Sequence, residues 1–298
     1  VRNGSGPRVM LAAHMDSIGF MVKYVDDRGF IRLQTIGGFD VRTLVMQRVL
    51  VQGKSDYVGL LCPSSKPIHL LTPEERERSY KIEDMYVDLL LPAEEVAENV
   101  SIGDPISLHR EPHYTDRSVT SPYLDDRLGV YVMLEALRAA RATQCEIHAV
   151  VTVQEEVGLR GAGTSAHAIR PDIGVALDVT IAGDVAGADK SQWVAPLGGG
   201  TAISVMDADS ISDPRLVAKC KELAERHGIK AQLEVRGRGG TDAGAIVLAG
   251  AGARAVTISM PVRYIHSLNE TALFEDIEAS VALTARFLEA AHEVDLEW

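Results

Sequence analysis

Asp178 lies inside the apolar run IGVALDV (173–179), where a surface role is awkward. A carboxylate there must be met by a partner, because burying an unpaired charge is costly. Other acids and imidazoles recur at similar places. His14 ends the short apolar run of residues 8–13, and Glu155 and Glu156 follow the run IHAVVTV (147–153). His266, in YIHS (264–267), lies just past AVTISM (255–260), and Asp125 opens DDRLG (125–129). The chain must therefore bury strands whose ends carry charge.

A chain of 298 residues can bury a sizeable core in one large domain or two. Hydrophobic residues make up 46% and charged residues 24%, as in ordinary globular proteins. The net charge of -12 argues against nucleic acid as a partner. Cys62, Cys145 and Cys220 form no CxxC, which argues against a disulfide framework and for a reducing cytoplasmic setting. No stretch approaches the roughly 20 apolar residues of a membrane helix. No secretory signal pattern opens the chain. The first segment, ending in VMLAA, already reads as a central strand, so further residues upstream are expected.

Two textures alternate along the chain. Residues 20–108 carry short β-like runs, GFMVKYV, FIRLQTI, RVLVQG, VGLLC and MYVDLLL, separated by turn signals. They predict a small barrel or sandwich. TPEERE (72–77) predicts a capped helical turn, and PAEEVAE (92–98) a second short helix. From Ser118 onward, apolar strands alternate with helices: 126–141, 163–169, 213–228 and 274–292 as helices, 147–153, 173–179, 231–235 and 255–260 as strands. That order predicts an α/β domain with a mostly parallel sheet flanked by helices. The expected division is a catalytic domain of residues 1–18 and 114–298, with residues 19–113 inserted as a β-rich domain.

Each candidate residue has two readings. His14 and Asp16, two apart on an extended chain, share a face. They are either a metal-bound imidazole oriented by a carboxylate, or a strand-end histidine beside a helix-capping acid. Asp125 and Asp126 are either a helix cap or a carboxylate bridging two cations. Glu155 and Glu156 are a solvated turn, or one metal ligand beside one acid that handles protons. The glycine-rich GGTDAG (239–244) lacks the end of a phosphate-binding loop. It is either a strand-to-helix turn capped by Asp242, or a backbone wall near the metals formed by Gly240, Thr241 and Asp242. Taken together, His14, Asp125, Glu156, Asp178 and His266 are a nearly complete ligand set for two Zn²⁺ or Co²⁺ ions, with Glu155 spare.

The strings LAAHMDSIGFMV, TIGGFDVRTL, KPIHLLTPEER, YLDDRLGVY, VVTVQEEVGLRGA, ALDVTIAGD, GRGGTDAGAI and RYIHSLNE occur in this order. In them the chain resembles the tetrahedral (TET) aminopeptidases, dinuclear metallopeptidases that include glutamyl, leucyl and deblocking enzymes and some proteins labelled endoglucanases. The resemblance implies that His14 and Asp178 hold one ion, Glu156 and His266 the other, and that Asp125 bridges them across a cis Asp125–Asp126 peptide. Glu155 would be the general acid/base, and Asp16 would orient His14. The inserted domain would be PDZ-like and dimerising, and the protein would form dimers and tetrahedral dodecamers. Ser17 departs from the acid expected at its position, and relatives carry several dozen residues ahead of the first strand.

The reaction this implies is metal-dependent release of N-terminal residues from peptides. Two rivals are set beside it. One is an oligomeric shell of the same fold with a vestigial site. The other is a carbohydrate hydrolase using Glu155 and Glu156, which point apart on an extended chain and leave the histidines without a role.

Overall fold

The computed structural model describes residues 4–297. The chain is a mixed α/β protein with a parallel-containing sheet and a closed β-barrel. It divides into two compact units: Val1–Ser17, Pro112–Ile265 and Asn269–Trp298 form one, and Ile18–Glu111 with His266–Leu268 the other.

The chain runs through β1 (Arg8–His14) and then builds the second unit from β2 (Gly19–Val25), β3 (Ile31–Ile36), β4 (Gln47–Gln52) and β5 (Asp56–Pro63), followed by α1 (Pro73–Glu77), β6 (Met85–Asp88), α2 (Ala93–Asn99) and β7 (Pro105–Leu108). Its six strands close in the order β2-β3-β6-β5-β4-β7 with antiparallel neighbours throughout. Closure removes free sheet edges. Alternation fills the interior with Phe20, Val22, Ile31, Leu33, Val49, Val51, Leu61 and Val87. The predicted turn at Thr72 is α1, with a full capping box between Thr72 and Glu75.

The first unit continues with β8 (His113–Tyr114), β9 (Ser118–Ser121), α3 (Leu124–Ala139), β10 (Glu146–Thr152), α4 (Arg160–Ile169) and β11 (Ile173–Ile181). Then come β12 (Thr201–Met206), α5 (Pro214–His227), β13 (Ala231–Val235), α6 (Asp242–Ile246), β14 (Arg254–Val262), β15 (Glu270–Leu273) and α7 (Phe274–Ala290). The main sheet has the order β10-β1-β11-β14-β12-β13, parallel except where β12 meets β14, and β15-β9-β8 form a separate small sheet. Sequence patterning marks the buried central strands but not β7, β8, β9, β12, β15 or α6, which are short or rich in small polar residues.

Side-chain alternation sorts the strands' two faces. Val9, Leu11 and Ala13 of β1 join Val175, Leu177 and Val179 of β11 in the large core under α3, α5 and α7. Met10 and Ala12 face the other way, toward Ala166 of α4 and Ile246 of α6, and Ala176 faces Ala243. By the same period of two, His14 and Asp178 fall on the face of α4 and α6, at the carboxyl ends of adjacent parallel strands. Small alanines beneath them let the helices approach.

Gly129 sets how closely α3 crosses this sheet. A Cβ there would stand 2.3 Å from an Asp126 carboxylate oxygen and 2.5 Å from the Leu177 carbonyl oxygen. Three free cysteines bear no disulfide, and no helix among the described residues is long and apolar enough to cross a membrane. Gly129→Ala is expected to cost about 1–3 kcal/mol through forced separation of α3 from β11. A lowered urea midpoint with an unchanged slope checks this; an unshifted midpoint contradicts it.

Candidate metal centre

The centre is organised around His14, which is 2% exposed. Its Nδ1 lies 3.0 Å from the Asp16 carbonyl oxygen, so Nδ1 carries the proton and donates it there. Nε2 is thereby turned toward the acids. It faces a group of carboxylates: Asp125 Oδ1 at 3.1 Å, Asp178 Oδ1 at 3.8 Å and Glu155 Oε2 at 3.9 Å.

Three segments carry these acids. Asp178 projects from β11, one strand over from His14. Asp125 and Asp126 stand at the start of α3, joined by a cis peptide and preceded by Tyr123 in the left-handed region (φ 69°). Glu155 and Glu156 follow β10, and Gln154 ahead of them also has a left-handed backbone (φ 60°). Such non-glycine conformations are sparsely populated and persist only where the surroundings hold them. Here the holding bonds are visible: the Asp16 carboxylate accepts the backbone N–H groups of Glu155 (3.2 Å) and Glu156 (3.4 Å).

Asp16 meets His14 through both its carbonyl and its carboxylate. Its carbonyl takes the imidazole proton, while its carboxylate Oδ1 is farther from Nδ1, at 3.6 Å, and serves the glutamate turn. Asp126 combines the cap and site readings of the acidic pair. Its Oδ1 accepts from Gly129 N at 2.9 Å, and its Oδ2 from His14 N at 3.1 Å. Asp125, by contrast, faces Nε2.

The glycine-rich turn corrects one alternative. The cap of α6 is Thr241, which accepts from Ala243 N, not Asp242. Asp242 is buried, and its Oδ2 accepts a 2.5 Å hydrogen bond from Thr152 Oγ1 beside the centre. Thr241 is also internal, bonded to Thr257 Oγ1 at 2.9 Å. A Cβ at Gly240 would lie 1.7 Å from Asp209 Oδ2, so any side chain there would have to displace the exposed Asp209 carboxylate. His266 belongs to the barrel unit, where its Nδ1 lies 2.9 Å from the Gly38 carbonyl oxygen.

The electrostatics are those of an anion cluster. Burial and then Asp178 push Asp126 well above the usual carboxylate range, and burial does the same for Asp178. Glu155 rises to about 8, through burial and then the charge of Asp178. Burial would lower the His14 pKa, but Asp125 and Asp16 outweigh it and push it up. These four shifts oppose accumulating negative charge without a counter-ion, whereas burial raises Asp16 less than hydrogen bonds from His14 and the glutamate turn lower it. Two overlapping sets have donor atoms within 4.8 Å of one another: His14, Asp126 and Asp178; and His14, Asp125 and Glu156. One imidazole nitrogen with several carboxylate oxygens is a donor set suited to divalent transition metals. Both Asp126 oxygens also serve backbone N–H groups, from His14 and Gly129.

Sequence reasoning missed Glu270, which accepts the Asp125 N–H at 3.1 Å, and the buried Glu234 and Arg236 beside β11. The string RYIHSLNE contains Glu270, but nothing in its composition marks it.

Raised acids bind protons more tightly when folded, so their contribution to stability is present at low pH and is lost as pH rises through the folded pKa. His14, also raised, has the same sign. Chelator-treated protein is therefore expected to lose thermal stability as pH rises from about 4.5 to about 8. Added Zn²⁺ or Co²⁺ is expected to flatten the slope. Calorimetry across that interval checks both; a flat or rising Tm in chelator contradicts the charge argument.

A sequence model described as M42 glutamyl aminopeptidase matches residues 1–283. The lysyl aminopeptidase of Pyrococcus furiosus is 35% identical over 98% of this chain and 84% of its own. Among solved structures, aminopeptidase APDkam598 of the archaeon Desulfurococcus kamchatkensis superposes with a TM-score of 0.91 at 38% identity, covering 97% of this chain and 81% of that one. Pyrococcus horikoshii TET1 peptidase, described as able to assemble into a tetrahedron or a large octahedral shell, gives 0.82 at 28% identity, covering 95% and 84%. With a fold shared across nearly its whole length and a family match over most of its residues, the chain belongs to the M42 glutamyl aminopeptidase family.

Proposed function

We propose that this protein is a dinuclear metalloaminopeptidase that hydrolyses N-terminal residues from peptides. The observation that carries the reading is the convergence of Asp125, Asp178 and Glu155 on His14 Nε2. In this reading His14 and Asp178 hold one divalent ion, Zn²⁺ or Co²⁺. Glu156 and His266 would hold the other, with Asp125 between the two sets. The Nδ1 of His266 is engaged by Gly38, so Nε2 is its donor. When bound, two such ions polarise the scissile carbonyl and acidify water.

The chain's own part is proton transfer and positioning. The Glu155 carboxylate accepts a proton from the attacking water as its oxygen adds to the carbonyl carbon. It then delivers that proton to the amine nitrogen as the C–N bond breaks, releasing one amino acid and a shortened peptide. Burial and then the charge of Asp178 raise the proton affinity of Glu155, which suits a group that takes and returns a proton. Asp16 keeps Glu155 and Glu156 on their turn and His14 in the right tautomer. Adjacent glutamates can divide the work from one turn: Glu155 Oε2 lies 3.9 Å from His14 Nε2, while Glu156 groups with His14 and Asp125.

Self-association belongs to the same reading: the barrel unit is taken as a PDZ-like dimerising domain, and dimers as the parts of a tetrahedral dodecamer. The assembly described for Pyrococcus horikoshii TET1 peptidase supports this.

Aminoacyl chromogenic substrates test the reaction. Chelator is expected to abolish release, and Zn²⁺ or Co²⁺ to restore it; chelator-insensitive turnover, or silence with metal bound, rejects the reading. Glu155→Gln is expected to keep metal uptake and fold while lowering kcat by about 10²–10⁴. Normal turnover in that variant removes Glu155 from the proton path.

A further inference from the structure

The backbone that carries Asp125 is not held by its own helix. Tyr123, the residue ahead of α3, makes no side-chain cap, and Asp125 and Asp126 have non-helical backbone angles inside the first turn. The first N–H groups of a helix lack intrahelical acceptors, and a buried one needs an acceptor from elsewhere. For Asp125 that acceptor comes from 145 residues away: Glu270 Oε2 receives the Asp125 N–H at 3.1 Å.

Glu270 is built into this place. It opens β15, which pairs antiparallel with β9, and its Cα stands opposite Ser121, just before the Tyr123–Asp126 turn. It is 1% exposed. A carboxylate so placed is costly unless its oxygens are used, and an ionised acceptor binds an N–H more strongly than a neutral one. The next residue is pinned as well, with both Asp126 oxygens accepting backbone N–H groups, from His14 and Gly129. The peptide bearing the Asp125 carboxylate is thus fixed on one side by Glu270 and on the other by Asp126. Its Oδ1 is held 3.1 Å from His14 Nε2.

We infer that Glu270 is a positioning residue for the metal centre: by holding the Asp125 N–H it aims the carboxylate shared between the two ions. The inference rests on the two-metal reading proposed above. Glu270 contacts no reacting atom in this assignment. It acts through Asp125.

The test is titration of chelator-treated protein with Co²⁺, read by the visible absorption of the bound ion and by metal content, well below the unfolding temperature. Glu270→Ala is expected to weaken Co²⁺ binding by about 10–100-fold and to change the band shape, while Glu270→Gln, which keeps an accepting oxygen, stays within about threefold of wild type. A merely structural role would lower Tm and leave affinity and spectrum alone. Wild-type affinity and spectrum in a folded Glu270→Ala protein overturn the inference. If Glu270→Ala fails to fold, Glu270→Asp decides, because it keeps the charge and withdraws it by one methylene. Weakened Co²⁺ binding in that variant supports positioning, and unchanged binding overturns it. A wild-type protein that takes up no Co²⁺ overturns the two-metal reading and this inference with it. Wild-type uptake with indifferent Glu270 variants overturns only the inference.

Discussion

Negative charge gathered around one imidazole is the constraint on which the rest of the structure depends. Asp125, Asp126, Glu155 and Asp178 cluster at His14, and Asp242 stands just behind, bonded to Thr152. In water these groups would repel weakly. In a buried site the same repulsion is several times larger, and desolvation adds to it. Folding can meet that cost by protonating the acids, by spending backbone N–H groups on them, or by taking up cations. The structure uses the second route for Asp126 and Asp16, whose oxygens face peptide N–H donors. Asp125 and Asp178 instead point at His14 Nε2, where positive charge, on the imidazole or on a cation, offsets them.

The fold supplies this convergence through elementary periodicities. Parallel neighbours β1 and β11 end on the same side of the sheet, and the period of two puts His14 and Asp178 on one face. Ligands in open α/β sheets gather at such carboxyl ends. α3 brings the acidic pair in against the sheet, which is possible because Gly129 leaves room for the Asp126 carboxylate and the Leu177 carbonyl. Gly161 does the same for α4, where a Cβ would meet the Val153 backbone at 2.5 Å. The glycine of DDRLG and the one in the first turn of α4 are therefore packing requirements of the site, not merely flexible punctuation.

What was legible in the sequence follows from how each feature is encoded. The α/β order, the barrel, His14, Asp178 and the glutamate pair are written in local contrast: an apolar run broken or ended by a charge. The acidic pair was only half legible. Adjacent residues share every local signal, so capping and ligation could not be divided between Asp125 and Asp126. β13 shows why other parts were hidden. Its Leu233 is 47% and Val235 63% exposed, whereas Glu234 between them is 1% exposed. Alternation there is inverted, so a hydrophobic-face reading turns Glu234 outward. Glu270 was hidden for another reason: its partner is a backbone N–H 145 residues away, which no local pattern records.

The inversion at β13 has its own electrostatic logic. Glu234 bonds Thr180, two residues past Asp178 on the same face of β11. Arg236, its side chain 6% exposed, places Nε 3.9 Å from Glu234 Oε1. A buried guanidinium is as expensive as a buried carboxylate unless opposite charge lies near, and here it has Glu234 on one side and the field of Asp178 on the other. Arg236 lowers the proton affinity of Asp178 against the burial that raises it. The sheet thus carries a fixed positive charge behind the strand whose end carries the carboxylate. Arg236 offsets part of the cost of burial, yet Asp178 still lies well above the usual carboxylate range, so the strand holds this acid within its apolar length chiefly by raising its proton affinity. Glu234 in turn offsets the charge of Arg236, so the exposed Leu233 and Val235 are the consequence of turning that edge strand's polar face inward.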